Sequence, residues 1–208
     1  MNARWPFTKE KIAARLDLIA PYVHRRRSVL PHFRILPLLE PTIDAPICND
    51  PALWDEIPHE SYWGHVDLNF VMKSSFQVPD GWDARNLALH LPLGILGDVF
   101  NHPEALVHVD RIPIGSADRY HHTIRLDPGV ADGKSHVLSL HGWTGLAGWP
   151  PDLNSKSKLF MGKPALAERD PVLLDFVQRA RAVLDTSTTL GGEPGAALLK
   201  VLDQALRL

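Results

Sequence analysis

The sequence predicts a mainly β fold, an antiparallel β-sandwich with one helix before it and two helices after it. Apolar and polar residues alternate along several short segments in the middle of the chain. Turn-forming sequences separate these segments, and no apolar pattern of helical length lies between them. Because parallel strands need long crossover connections, usually helices, an antiparallel arrangement is favoured. A chain of 208 residues is long enough to bury a core of this kind.

The first element is predicted to be a helix that begins at Thr8 and extends to about Arg27. Thr8 is a suitable N-cap, and Pro21 is expected to kink or end the helix. The following region, residues 31–58, contains six prolines, and each lacks the amide donor that regular structure uses. We therefore expect an ordered wrap without regular secondary structure there. The apolar positions of the helix, spaced by three and four, are Ile12, Leu16, Ile19 and Val23.

The middle region is predicted to supply the strands of the sandwich. In HVDLNFVMKSSFQVP, which starts at His65, apolar residues recur at alternate positions from Val66 to Val78. This period of two places one face of a strand against the core. The same alternation occurs in RNLALHLPLG, ALVHVDRIPIG, RYHHTIRLD and SHVLSLHGW, and SKLFMGKP is a further candidate strand. Turn sequences such as PDGWD, DPGVADGK and GWPPDLN separate these strands.

The C-terminal region is predicted to form two helices. Asp170 is a suitable N-cap, and Pro171 fits the first helical position. A second apolar stripe follows LGGEPG, so the helical pair can pack on the sandwich or dock a partner. We therefore divide the chain into residues 1–60 (helix and wrap), 61–168 (β-sandwich) and 169–208 (helical pair). The stripes comprise Leu173, Phe176, Val177, Ala180, Val183 and Leu184, then Leu198, Val201, Leu202, Ala205 and Leu206.

The composition excludes several classes of function. Lysine and arginine number 22 against 24 acidic residues, a net charge of −2, which gives no electrostatic case for nucleic acid or acidic membranes. Cys48 is the only cysteine, so no intrachain disulfide can form, as is common in reducing compartments. No apolar run reaches membrane-spanning length, and the N-terminus lacks a secretory leader pattern. We expect a cytoplasmic protein.

Two adjacent histidines, His121 and His122, stand out in GSADRYHHTIRL, close behind Asp118 and Arg119. If the whole segment is a strand, Tyr120 and His122 point toward the core with Ile124 and Leu126, and His121 points outward. Adjacent strand residues face opposite sides, so the two histidines cannot chelate one metal together. A histidine at the rim of the sandwich, a sugar or subunit contact and a metal ligand all stay open.

The triplet His-Val-Asp occurs twice, at His65–Asp67 and at His108–Asp110. On a strand, each histidine and aspartate would share one face, opposite the buried valine. Metal sites need three or four ligands, so a solvated strand face is the favoured interpretation. The sequence contains no His-x-His, His-Glu-x-x-His, Cys-x-x-Cys or Gly-x-Ser-x-Gly motif and no phosphate-binding glycine loop. We predict no metal ligand and no catalytic residue in this chain.

Two tryptophans, Trp143 and Trp149, lie in or beside the glycine-rich segment LHGWTGLAGWPPDL. An exposed indole can stack on the apolar face of a sugar, and glycine lets the backbone approach a ligand closely. The same rings can instead plug the end of the sandwich or form an interface. The sequence leaves these three alternatives open.

The order of these motifs resembles the N-terminal region of α-mannosidases of glycoside hydrolase family 38, in the cytosolic and vacuolar branch. The resemblance runs from about Thr8 to the end of the sequence, and its most specific pieces are Asn101–Leu126 and His141–Gly148. In that family the turn after the second His-Val-Asp triplet is usually Asp-Gly, whereas Arg111 replaces the glycine here. The resemblance implies a galactose-binding-like β-sandwich (a jelly roll) that precedes the catalytic domain.

The resemblance also implies where the chemistry lies. The family's zinc and its carboxylate nucleophile belong to the following domain, which a Gly-His-x-His-Ile-Asp type of motif opens, and these 208 residues contain no such motif. We therefore expect an accessory domain, a fragment or a separately encoded front part, that is inactive alone and works with a catalytic domain in cis or in trans. Its candidate contacts to mannosides, or to another subunit, are Asp118, Arg119, His121, His122, Trp143 and Trp149.

Two other functions stay open on the sequence. A free-standing carbohydrate-binding module would have the same fold, because fold does not fix function. A small hydrolase complete in itself would need paired carboxylates roughly 5 to 10 Å apart, and their spacing in the fold cannot be read from the sequence.

Overall fold

The computed structural model describes residues 8–94, 103–148 and 150–207. They form antiparallel β-sheets and three α-helices, so the predicted mainly β class with flanking helices is confirmed, in a form consistent with a β-sandwich. The chain divides into two compact units. One comprises Arg26–Glu168, and the other comprises the described parts of Met1–Arg25 and Arg169–Leu208.

The described residues contain twelve strands in three sheets. The six-stranded sheet has the order β3-β2-β5-β10-β7-β8, the four-stranded sheet the order β1-β12-β6-β9, and a small sheet pairs β11 with β4. The strands are β1 His24–Val29, β2 Phe33–Leu38, β3 Asp55–Ile57, β4 Ser61–Trp63, β5 Asn69–Gln77, β6 Leu87–His90, β7 Glu104–Val109, β8 Ile112–Ala117, β9 Thr123–Arg125, β10 Ser135–Trp143, β11 Leu159–Met161 and β12 Ala165–Arg169.

The core of the β unit comes from the alternation that the sequence displays. Along β5, Phe70, Met72 and Phe76 are buried, and along β10, Leu138 and Leu140 are buried. They join one apolar cluster with residues of the four-stranded sheet, among them Leu87, Leu89 and Leu166. Burying each large apolar side chain stabilises the fold by roughly 1.5 to 3 kcal/mol.

The helical unit contains α1 Thr8–Ile19, α2 Pro171–Leu190 and α3 Gly192–Ala205. Asp170 caps α2 as predicted, because its carboxylate accepts hydrogen bonds from the amides of Val172 and Leu173. The three helices bury a small apolar cluster of Ile12, Leu16, Ala180, Leu184, Leu202 and Leu206. Beside it lies Asp203, whose carboxylate contacts Lys11 at 3.2 Å and Arg207 at 2.6 Å.

The first helix ends just before Pro21, one of the two outcomes predicted for this proline, but the predicted extent to about Arg27 and the predicted irregular wrap were wrong. The first helix ends at Ile19, a 3-10 turn follows over Ala20–Val23, and the basic residues up to Arg27 lie in β1. The proline-rich region holds β2 and β3 besides loops. Pro37 is tolerated within β2 because β3 pairs only with Phe33–Ile35, so at Pro37 the strand has a neighbour on the β5 side alone.

Candidate functional site at one end of the six-stranded sheet

Most of the sequence-predicted site residues lie at one end of the six-stranded sheet. Trp143, the last residue of β10, is opposite Asn69 on β5 and opposite Glu104 on β7. Ala105 on β7 is opposite Ala117, the last residue of β8. The segment Asp118–His122 therefore begins at the same end, about 10 Å from β10 because neighbouring strands lie about 4.8 Å apart.

Trp143 lies on the outer face of this sheet, the face opposite the core. Leu138 and Leu140 of the same strand are in the core, and residues an odd number of positions away point to the other side. The indole is half-buried, and its Nε1–H donates a hydrogen bond to Oδ1 of Asp67 at 2.8 Å. One edge of the ring is thus fixed by a carboxylate.

A tight turn between β4 and β5 places Asp67 beside the indole. Thr144, fully buried, donates from its hydroxyl to the His65 carbonyl at 2.6 Å and accepts from the Leu68 amide at 2.9 Å. The Asp67 amide donates to the Gly145 carbonyl at 2.9 Å, and Asp67 has a positive φ of 58°. The prediction that His65–Asp67 lies on a strand was wrong, because these residues form this turn.

Gly142 permits the close approach of β7 to β10 at this position. A Cβ atom there would lie 2.3 Å from the Glu104 carbonyl oxygen and 2.8 Å from the Phe70 ring. Both distances are far inside van der Waals contact. A glycine immediately before Trp143 is thus what lets Glu104 flank the tryptophan on the neighbouring strand.

The segment after β8 is organised by Asp118. Its carboxylate accepts from the Tyr120 amide at 2.6 Å, from the His121 amide at 2.7 Å and from His121 Nδ1 at 2.8 Å. Burial alone would raise the pKa of Asp118, but these hydrogen bonds hold it below its ordinary value. A carboxylate that stays charged keeps the His121 ring in a fixed orientation.

The two histidines diverge, as the sequence predicts. His121 is exposed and paired with Asp118, whereas the His122 ring lies 6.3 Å from the ring of His90. The inward orientation predicted for Tyr120 was wrong, since its side chain is 76% exposed. Strand β9 begins only at Thr123, so the alternation does not extend back to Tyr120. The guanidinium of Arg119 lies over the Tyr120 ring at 5.2 Å.

The remaining predicted positions have different outcomes. Trp149 lies outside the described residues.

The second His-Val-Asp triplet does not form a solvated face as predicted, because His108 is only 8% exposed. Asp110 lies in the β7–β8 turn, where its carboxylate accepts from His136 Nδ1 at 2.6 Å. That turn forms without the family's glycine, since Asp110 and Arg111 both have positive φ, 49° and 73°.

Three residues of this site were missed by reasoning from the sequence, namely Asp67, Asn69 and Glu104. Asn69 and Glu104 become neighbours of Trp143 only through strand register, which depends on distant pairings. Asp67 had a local signal, because Gly64 and Asp67 are of residue types that turns favour.

The site combines an aromatic ring with several hydrogen-bonding groups. Such a surface can contact a polyhydroxylated ligand or a polar protein surface, because the ring offers an apolar face while carboxylates and amides hydrogen-bond at its edges. Within residues 8–94, 103–148 and 150–207, no group of three or more His, Cys, Asp or Glu side chains is placed to hold a metal ion.

Comparison with known proteins adds no assignment, since no protein-family model and no curated protein matches this chain. None of the helices in the described part of the chain is both long enough and apolar enough to span a membrane.

Proposed function

We propose that this chain is the accessory, non-catalytic β-sandwich domain of a family 38 α-mannosidase, with a galactose-binding-like jelly roll. The main support for the proposal is the position in the fold of the segments that resemble the family. Its most specific segments, Asn101–Leu126 and His141–Gly148, cover β7 to β9 and the end of β10. These elements supply Glu104, the Asp118 segment and Trp143, and thus most of the candidate site.

In this proposal the chain contributes a surface, and the catalytic domain contributes the chemistry. Zinc and the nucleophile of the retaining reaction belong to the catalytic domain, present in cis or in trans, so this chain needs no cofactor of its own. The whole enzyme hydrolyses terminal α-D-mannosides in the cytoplasm. The Trp143 end of the sheet lies at the rim of the mannoside cleft or in a subunit contact, including one with a second copy of the chain.

The geometry at Trp143 supports a rim role over a purely structural one. A tryptophan that only plugged a sandwich would point into the core, as Trp63 does, with its Nε1–H donating to the Leu93 carbonyl. Trp143 instead lies on the outer face and donates to the exposed Asp67. An indole held in this way presents a prearranged ring, which reduces the entropy lost on binding.

The same observation favours one alternative function, a free-standing carbohydrate-binding module. A ring fixed by Asp67 and flanked by Asn69 and Glu104 has the elements of a sugar site by itself. The two functions differ in whether the isolated chain binds mannosides without a catalytic domain.

The proposal is tested by measuring how the chain binds a separately produced family 38 catalytic domain and how it changes the kinetics of that domain. We expect the chain to bind that domain, and we expect Trp143→Ala to weaken the binding or to change KM for an α-mannoside. Trp82→Ala is the matched control, because Trp82 is also half-buried but follows the opposite end of β5. Equal behaviour of both variants and the wild type would contradict the rim role.

The isolated chain separates the alternatives. We expect no turnover of 4-nitrophenyl α-mannoside by the isolated chain. Turnover that a chelator abolishes would overturn the accessory role, and calorimetry that detects micromolar binding of mannosides would favour the carbohydrate-binding module.

A further inference from the structure

A row of three polar side chains crosses the outer face of the six-stranded sheet. Ser139 on β10 is opposite Lys73 on β5 and opposite His108 on β7. Direct antiparallel partners have Cβ atoms about 4.5 to 5.5 Å apart on the same face. Ser139 therefore lies between a lysine and a histidine, two residues before His141 on the same strand and face.

All three side chains are buried although they face away from the core. Lys73 is 6% exposed, Ser139 is 2% exposed and His108 is 8% exposed. The connection between β2 and β3, residues 39–54, which we name the strap, contacts the row. Lys73 Nζ donates to the Asn49 carbonyl, and it lies 5.7 Å from the centre of the Trp54 ring.

Lys73 and His108 have hydrogen-bonding capacity that no group among the described residues uses. The ammonium of Lys73 has three N–H donors, and its hydrogen bond goes to the Asn49 carbonyl. The Nδ1 atom of His108 is buried and has no hydrogen-bond partner. A buried polar atom left without a partner destabilises the fold by about 1 to 3 kcal/mol, so such a group is a candidate to bind a ligand atom.

The charges around the row favour an anion over a cation as that ligand. Burial is the main cause that lowers the pKa of Lys73; the charge of Arg111 lowers it further, whereas Cys48 and Asp50 raise it. Burial, and then the charge of His108, lowers the pKa of His141. A metal ion beside Lys73 would be repelled, whereas an oxyanion would accept from the lysine, the serine hydroxyl and a histidine N–H.

We propose that Lys73, Ser139 and His108 form a binding site for a tetrahedral oxyanion on the outer face of the sheet, beside the strap. The ligand is inorganic phosphate or the phosphate group of a sugar phosphate. The site is separate from the Trp143 end of the sheet. The proposal does not depend on the mannosidase role, because only the charge, the burial and the strand register of these residues support it.

Thermal unfolding and NMR of the full 208-residue chain test this site. Inorganic phosphate should raise Tm saturably relative to chloride at equal ionic strength, and it should shift the imidazole signals of His108 and His141. Lys73→Met and His108→Asn should each weaken phosphate binding roughly 10- to 100-fold, the loss expected for a charge-assisted hydrogen bond. Lys163→Met is the matched control and should leave the affinity unchanged, because Lys163 is exposed and pairs with Glu60.

One additional variant and one additional ligand complete the test of this site. Ser139→Ala removes one hydroxyl without changing charge and serves if Lys73→Met unfolds the chain. Mannose 6-phosphate that binds more tightly than phosphate would identify a sugar phosphate as the source, and equal affinity would identify the free anion. Absence of a saturable phosphate effect in the wild type, or unchanged affinity in all three variants of the row, would overturn the proposal.

Discussion

The two faces of the six-stranded sheet are built on different principles. The core face is mainly apolar, with Phe70, Met72 and Leu140 buried against the other sheet. The outer face buries Lys73, which contacts the strap, together with His108, and it holds Trp143 half-buried at its end. The core face stabilises the fold through apolar area, whereas the outer face places polar groups where ligands or partners can use them. We therefore expect substitutions on the core face to change mainly stability and substitutions on the outer face to change mainly binding.

The largest expected effect is the loss of stability when a side chain of the core face is truncated. Leu140→Ala should lower the free energy of unfolding by about 2 to 5 kcal/mol, because it leaves a cavity in the buried cluster. Val137→Ala is the matched substitution on the outer face of the same strand, where the side chain is 46% exposed, and should change stability by less than about 0.5 kcal/mol. Urea unfolding measures both, and similar losses would contradict the distinction between the faces.

The next effect concerns the turn that holds Asp67. Thr144→Val keeps the shape of the side chain but removes its hydrogen bonds to the His65 carbonyl and the Leu68 amide. We expect a loss of about 1 to 3 kcal/mol, together with a changed NMR shift of the Trp143 indole N–H. Thr186→Val, on the exposed side of α2, should have little effect on either. An unchanged indole signal would show that the turn does not position Asp67.

A smaller effect, on pH dependence, comes from His136 near the β7–β8 turn. Its Nδ1 contacts Asp110 at 2.6 Å and its Nε2 contacts Asp132 at 3.1 Å. Burial lowers the pKa of His136, but the two carboxylates outweigh it and raise the pKa above 6.5. Because the folded pKa exceeds the unfolded one, this stabilisation is complete below about pH 6.5 and is lost as the pH rises through the folded pKa.

Substitution isolates this pH dependence. His136→Gln should flatten the decline in stability above about pH 6.5 and lower stability at pH 6 by about 1 kcal/mol. The pKa values of Asp110 and Asp132 are lowered. The stabilisation that these two carboxylates contribute is therefore present above about pH 4 and is lost on acidification. His65→Gln is the control, because His65 is exposed and its Nδ1 contacts a backbone carbonyl instead of a carboxylate. Identical pH profiles for the wild type and His136→Gln would contradict this linkage.

Local patterns predicted the core face well, whereas the outer face depends on contacts that are distant in sequence. Period two along β5 and β10 located Phe70 and Leu140, and Asp170-Pro171 located the start of α2. The burial of His108 could not be predicted in this way, because alternation gives the face on which a residue lies but not whether another segment covers that face.

The errors elsewhere have similar causes. Pro37 suggested irregular structure, but a strand can hold a proline where it has a neighbour on one side only. Asn69 and Glu104 join Trp143 through register, which no short motif encodes. In the candidate site, therefore, the sequence predicted the aromatic ring and the Asp118 segment, whereas the groups that flank the ring required the fold.

The central claim is that the Trp143 end of the outer face meets the ligand or the catalytic domain. The most direct measurement is the NMR spectrum of the tryptophan indole N–H groups, recorded as a family 38 catalytic domain and methyl α-mannoside are added. We predict that the Trp143 signal shifts or broadens saturably while the signal of Trp63, bound to the Leu93 carbonyl in the core, stays in place. An unchanged Trp143 signal, or an equal change at both tryptophans, would contradict the claim.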